Sequence, residues 1–352
     1  MEPHENAGSR WLKHGSPMPA FEIPHALSTW LEQRGILREK LQGLLGSLPA
    51  RPSIPQAKLL WRQDRGDFFL EKIVFDNHAG AMVPGYVLLP KNLRTRAPAI
   101  LYCHWHGGEY QNGKEELFKT SDLPEPPGPA LARQGYVVLA IDAYCFGERE
   151  RDVPGGDAGA MGEWTASKFN LWMGRTLWGM MLRDDLMALD YLLSRAEVDP
   201  ARVGVTGMSM GSTRAWWLMA LDERLRVGVG VACLTRYQDL IAAGKLAEHG
   251  IYYFVPGILN HFDTETIVSL IAPRPMLFMT GDQDAGSPVS GVRKIAQAVE
   301  CVYRLYGQVE NFENVVYPGV GHVYLPEMWQ RTMEWLKKHL HSPPDASPGS
   351  RS

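Results

Sequence analysis

The sequence predicts an α/β protein: a mostly parallel, right-handed sheet covered on both faces by helices. Three observations carry that expectation. Short runs apolar at nearly every position recur at residues 97–103, 136–141, 203–206, 227–233, 275–279 and 314–317, as strands buried on both faces require. Stretches with apolar residues at helical spacing alternate with them, at 176–194, 211–221, 289–305 and 325–340. The first three strand runs each lead into a glycine-containing loop.

Taken in order, Leu27, Trp30, Leu31, Ile36, Leu37, Leu41, Leu44 and Leu45 follow helical spacing, interrupted at Gly35 and ended near Pro49. They predict a helical extension over residues 1–66 ahead of a main domain over 67–340. Runs 68–75 and 81–89 flank the turn-rich string D-N-H-A-G and read as a hairpin. The parallel strands and their helices follow. Segments 146–170 and 234–272 interrupt the rhythm, the first glycine-rich and polar. Long connections there lie over the carboxyl ends of the strands, where open α/β sheets bind ligands, so both are expected to form pocket walls or lids. Residues 341–352, rich in Pro, Ser and Gly, predict a disordered tail.

With 36 Lys+Arg against 39 Asp+Glu, the net charge of −3 offers no general basic face for nucleic acid or an anionic membrane. No run reaches the roughly 18 apolar residues of a membrane span, and the polar start of the chain lacks the apolar core of a secretory signal. Cys103, Cys145, Cys233 and Cys301 form no C-x-x-C pair, which argues against a zinc site or a disulfide framework. A cytoplasmic protein with a small-molecule partner is expected, its oligomeric state left open, a homo-oligomer included.

The sharpest motif is Gly207-Met208-Ser209-Met210-Gly211, placed between a strand run and a helical run. In that context G-x-S-x-G puts the serine on a strained strand-to-helix turn, with the N–H of Met210 facing the place where an oxyanion would form. A serine hydroxyl attacks only when a base takes its proton, so a histidine and a carboxylate must follow. The strand 275–279 runs into Thr280-Gly281-Asp282-Gln283-Asp284, and the strand 314–317 into Pro318-Gly319-Val320-Gly321-His322. His322 is the candidate base. Asp284 is preferred to Asp282 as the acid, because its spacing carries the carboxylate past the strand tip; Asp282 would then cap the turn.

After the strand 97–103 comes His104-Trp105-His106-Gly107-Gly108-Glu109-Tyr110, and an H-G-G string at that place supplies a second oxyanion donor. The N–H of Gly108 is the first candidate and Gly107 the second. His104 and His106 share a strand face as a metal pair would, yet no third ligand cluster accompanies them, so His106 is read as a loop brace. Trp105, Tyr110 and Tyr144 are candidate substrate contacts, with Phe146, Trp178 and Trp216 weighed beside them. The two helical tryptophans fit core packing better. Arg149 could bind a substrate carboxylate or anchor its own loop.

The strings D-A-Y-C-F-G-E-R at 142–149, G-M-S-M-G at 207–211, I-A-P-R-P at 271–275 and G-V-G-H at 319–322 together resemble the acetyl xylan esterase and dienelactone hydrolase side of the α/β-hydrolase superfamily, over about residues 60–340. The resemblance implies the α/β-hydrolase fold with an eight-stranded type of sheet, a Ser209–His322–Asp284 triad, and Met210 with Gly108 as oxyanion donors. Dienelactone hydrolases of the best-known type use a cysteine where this chain has serine, which points to esters. Xylan esterases acting on polymers are usually exported, and no export signal is visible here. The expectation is a serine carboxylesterase for small to medium acyl esters, acetyl esters included, needing no metal or organic cofactor. Lactone, amide or C–C hydrolysis on the same triad is the alternative, and a non-catalytic binding module the remotest one.

Overall fold

A computed structural model describes residues 6–14, 19–91, 93–120 and 123–341. Nine strands form one sheet in the order β1-β2-β3-β5-β4-β6-β7-β8-β9. Antiparallel pairing joins β1 (Ala57–Asp64), β2 (Phe68–Asp76) and β3 (Met82–Pro90), and β3 runs antiparallel to β5 (Val137–Ile141). From β5 onward, β4 (Ala97–Cys103), β6 (Val198–Met208), β7 (Val227–Val231), β8 (Met276–Gly281) and β9 (Phe312–Tyr317) are parallel. The chain leaves β4 towards one edge to make β5, then returns to lay β6 on the other side of β4. That reversal opens a crevice at the carboxyl ends of β4 and β6, which is where the H-G-G loop and the G-x-S-x-G motif lie.

The helices, in order, are α1 (Ala7–His14), α2 (Leu27–Leu44), α3 (Pro127–Arg133), α4 (Gly159–Trp172), α5 (Leu177–Ser194), α6 (Met210–Leu221), α7 (Tyr237–Ala242), α8 (Thr264–Ser269), α9 (Val289–Leu305) and α10 (Pro326–Leu340). Both sheet faces are covered, and β4 shows how. Ala99, Leu101 and Cys103 join a cluster with Trp178 of α5, Trp216 of α6 and Val299 of α9. Ile100 and Tyr102 point the other way, into a second cluster with Leu131 of α3 and Leu336 of α10. This is the physical origin of the unbroken apolar runs: a strand covered on both sides has no polar face to show.

Four expectations change. Gly35 does not interrupt α2, because Trp30 and Leu41, three turns apart, are both buried, and Arg34 and Arg38 bind Glu223 at 2.5 and 2.9 Å. Gly35 is exposed and a Cβ there would meet nothing within 4 Å, so Gly35→Ala is expected to stabilise the fold by about 0.5–1 kcal/mol in urea unfolding. Residues 57–64, assigned to the helical extension, are instead the edge strand β1, the ninth of the sheet. The segment 146–170 is not simply a loop, since α4 begins at Gly159. The segment 234–272 is likewise broken into α7, three single 3₁₀ turns and α8. The expected tail lies outside the described residues apart from His341. Among the described residues, no helix is long and apolar enough to cross a membrane.

Candidate active site

β6 ends at Met208 and α6 starts at Met210, leaving Ser209 between them at φ 57°, ψ −120°. That left-handed backbone is costly for a residue with a Cβ; the Ser209 N–H, donated to Val231 O at 2.9 Å, ties it to β7. The flanking glycines are required by contact. A Cβ on either Gly207 or Gly211 would collide with the carbonyl oxygen of Cys103 at the end of β4. Gly211→Ala is therefore expected to cost about 3 kcal/mol, measured by urea unfolding, because backbone on both sides would have to move.

His322 and Asp284 reach Ser209 from the loops after β9 and β8. The Ser209 hydroxyl lies 2.9 Å from His322 Nε2, and His322 Nδ1 lies 2.8 Å from Asp284 Oδ2. Asp284 is buried, and its Oδ1 accepts the N–H of Gly286 at 2.9 Å. The two loops are stitched together. Gln283 N–H donates to Val320 O at 2.8 Å, and a Cβ on Gly281 would strike the 320–321 backbone. Asp282 takes part in the stitching, its Oδ1 accepting Gly319 N–H at 2.7 Å.

The loop after β4 departs from expectation. His104 is fully buried, with Nδ1 2.8 Å from Trp105 O and Nε2 accepting Ala143 N–H at 3.1 Å. Burial, with Arg214 nearby, drives its pKa well below the ordinary histidine range, so it is a neutral brace between β4 and β5. His106 Nε2 lies 2.9 Å from Glu163 Oε2 of α4, while His106 Nδ1 accepts the N–H of Gly108 at 3.0 Å. Gly108, the first candidate for the second oxyanion donor, thus has its N–H turned back into its own loop. The N–H of Trp105 is also taken, by Glu116 at 2.8 Å. Gly107, the second candidate, has an N–H with no acceptor among the described residues.

A sequence model described as "Abhydrolase family" matches residues 9–322. The chain belongs to the Abhydrolase family. It is 37% identical over 305 residues to "Putative hydrolase YtaP" of Bacillus subtilis strain 168, covering 86% of this chain and 98% of that one. Among solved structures, one titled a putative acetyl xylan esterase from Bacteroides fragilis aligns with TM-score 0.75 at 19% identity, over 94% of this chain and 93% of that chain. A glucuronoyl esterase from Solibacter usitatus aligns with TM-score 0.67 at 16% identity, over 92% and 100%. These structural likenesses establish the α/β-hydrolase fold.

Around this Abhydrolase-family framework lie residues that the sequence alone did not single out. Arg214, in the helix behind Ser209, holds Asp185 of α5 through two bonds of 2.8 and 2.5 Å and reaches His104 O at 3.3 Å. Both side chains are wholly buried. Asp185→Ala is expected to cost about 3–5 kcal/mol, read as a lowered urea midpoint, since it strands a buried guanidinium. Glu163 also accepts the Tyr110 hydroxyl at 2.8 Å and the Tyr252 N–H at 3.0 Å, joining α4, the loop after β4 and the 234–272 segment. Cys233 is buried, and its Sγ lies 3.8 Å from Ser209 Oγ. Burial, with Asp284 adding to it, pushes that thiol up to about 12, so it stays neutral beside the serine.

The candidate substrate contacts are half-buried and each packs on a core cluster: Trp105 on the one below α10, Tyr110 and Tyr144 on the one below α5. Tyr110 stacks on Phe146 with ring centroids 5.0 Å apart, and Arg149 lies 5.1 Å from the Tyr144 ring centroid. A cavity of about 250 Å³ beside His322 is lined instead by Leu123, Pro124, Val323 and Tyr324. Trp178 and Trp216 are core residues, fully buried. Arg149 is a structural anchor: buried, it binds Asp184 at 2.9 Å and donates to Asp142 O at 3.2 Å.

Proposed function

We propose that this hydrolase is a serine carboxylesterase acting on small to medium acyl esters, acetyl esters among them. The observation that carries the reading is the unbroken hydrogen-bonded chain from Ser209 Oγ through His322 to the buried Asp284 carboxylate. His322 Nε2 takes the hydroxyl proton as Ser209 Oγ attacks the ester carbonyl. The C–O(carbonyl) electron pair moves to oxygen, where the N–H groups of Met210 and Gly107 receive it. His322 then gives its proton to the departing alkoxide, leaving an acyl-serine. Water, deprotonated by the same nitrogen, attacks that ester, and the tetrahedral intermediate collapses to free acid and serine. Asp284 holds the imidazole with Nδ1–H towards it throughout and stabilises the cation. The esterase titles among the structural neighbours support ester chemistry as the class. Gly107 replaces Gly108 as second donor because the Gly108 N–H is committed to His106.

Hydrolysis of p-nitrophenyl esters from acetate to decanoate tests the reading, together with mass-spectrometric location of a fluorophosphonate adduct. Expected is turnover falling steeply with acyl length, and an adduct on Ser209. An adduct on Ser209 without turnover of any ester would overturn the substrate class and move the search to lactones, amides or C–C bonds. No adduct would overturn the nucleophile.

A further inference from the structure

The loop that leaves β4 takes its shape from one tight turn. Glu109 N–H donates to His106 O at 3.0 Å, and the two residues between them, Gly107 and Gly108, are both left-handed at φ 55° and 74°. The turn carries a second tie, the Gly108 N–H donated to His106 Nδ1 at 3.0 Å. That bond fixes a proton. Nδ1 accepts only when it bears no hydrogen, so the ring proton sits on Nε2 and is donated to Glu163 Oε2 at 2.9 Å. Glu163 is 2% exposed, and the groups around it suit an acceptor-only carboxylate: Tyr110 O–H shares Oε2 at 2.8 Å, and Tyr252 N–H takes Oε1 at 3.0 Å. Rings clamp the imidazole. It stacks on Tyr252 with centroids 5.3 Å apart and stands edge-on to Phe146 at 5.1 Å.

We infer, on the esterase reading above, that Glu163 and His106 are a second carboxylate–imidazole pair, separate from Asp284 and His322, which holds the Gly107 N–H in place for the oxyanion. Glu163 keeps the ring proton on Nε2. With that proton on Nδ1 instead, His106 would present a donor to the Gly108 N–H, and the turn would lose its tie next to Gly107. On the other side of Gly107 the chain is already pinned, because the Trp105 N–H is donated to buried Glu116 at 2.8 Å. An oxyanion donor has its full effect only when it is fixed before the charge develops. Losing that fixation weakens the transition state more than substrate binding, so the pair acts on kcat rather than on KM. Both are positioning residues, and neither exchanges a proton with substrate.

Steady-state hydrolysis of p-nitrophenyl acetate by variants of the full chain tests the pair. Trifluoroacetophenone, a ketone that serine captures as a tetrahedral oxyanion, is the second probe. Glu163→Gln puts an NH₂ where an acceptor oxygen stood. Expected is a loss of about 100-fold in kcat, the effect of one oxyanion donor, with KM within about threefold and the ketone's inhibition constant raised in step. His106→Asn keeps an acceptor for the Gly108 N–H, since an asparagine side chain bonds the N–H two residues on, and should retain about ten times the kcat of His106→Ala. In the His106→Asn background Glu163→Gln should cost less than about threefold, because the carboxylate then has no imidazole to orient. No loss in Glu163→Gln, or an equal loss in both backgrounds, would overturn the pair and leave Glu163 a packing residue. So would His106→Asn no more active than His106→Ala, the comparison that decides if Glu163→Gln fails to fold by circular dichroism. A parent enzyme that captures the ketone but hydrolyses no ester would overturn the substrate class alone, and the ketone constants of the same variants then decide. One that does neither would overturn both.

Discussion

Ser209→Ala is expected to lower kcat for p-nitrophenyl acetate by about 10⁵–10⁶-fold while leaving the unfolding midpoint nearly unchanged, the scale on which removing a triad serine acts in serine hydrolases. Two features of the structure make the loss that large. The strain at Ser209 is backbone strain, held by Gly207, Gly211 and the bond to Val231 O, none of which the hydroxyl contributes. Alanine therefore keeps the elbow and removes only the nucleophile. The second feature is Cys233, the one other nucleophilic side chain shown against Ser209 Oγ, at 3.8 Å. Its thiol is pushed up to about 12 by burial and is not bonded to His322, whose Nε2 faces Ser209, so it cannot stand in. The residual rate should reflect only the oxyanion donors and substrate positioning, and His322→Ala should cost about as much, the pair acting as a unit. Turnover surviving Ser209→Ala at more than about a hundredth of the parent rate would remove Ser209 from the mechanism.

What could be read in the sequence, and what could not, divides along burial. The parallel strands β4, β5, β7 and β8 were legible to within a few residues because both of their faces are buried, while β6 starts at Val198, ahead of its apolar run, and β9, an edge strand carrying Glu313 and Asn314, is only partly buried. β1 was not legible, because it is an edge strand whose side chains mostly face solvent, with only Ala57 and Trp61 half-buried against the core. α4 was missed for a related reason. Its exposed residues include Met161, Trp164, Leu171 and Trp172, while Glu163, Ser167 and Asn170 are buried, so its polarity runs opposite to the usual helix rule. The positions of Ser209, Asp284 and His322 were legible because each follows a recognisable strand. The partners that hold them were not. Arg214 meets Asp185 across 29 residues and Glu163 meets His106 across 57, and no local pattern announces a buried pair assembled from distant segments. Gly108 shows the limit most clearly, since the direction of one N–H depends on where the His106 ring sits.

The identity of the acid gives the second large effect. Asp284→Asn is expected to lower kcat by about 10⁴-fold, whereas Asp282→Asn should change it by less than about threefold, in the same ester assay. The argument runs through Gly286. Its N–H donates to Oδ1 of residue 284, so an asparagine there must place its carbonyl oxygen at that position and its NH₂ where Oδ2 now faces His322. A donor in that place forces His322 Nδ1 to accept and moves the ring proton to Nε2, the nitrogen that must take the proton from Ser209. The fold keeps its shape while the base is occupied. Asparagine at 282 meets a milder demand, because a side-chain carbonyl there still accepts the Gly319 N–H. Asp282→Ala, which loses that acceptor, should instead loosen the histidine loop at a cost of about 1 kcal/mol in urea unfolding. A 10⁴-fold loss in Asp282→Asn with activity retained in Asp284→Asn would reverse the assignment of the acid, and with it the expectation that the buried carboxylate, rather than the one stitching the loops, stabilises the imidazolium.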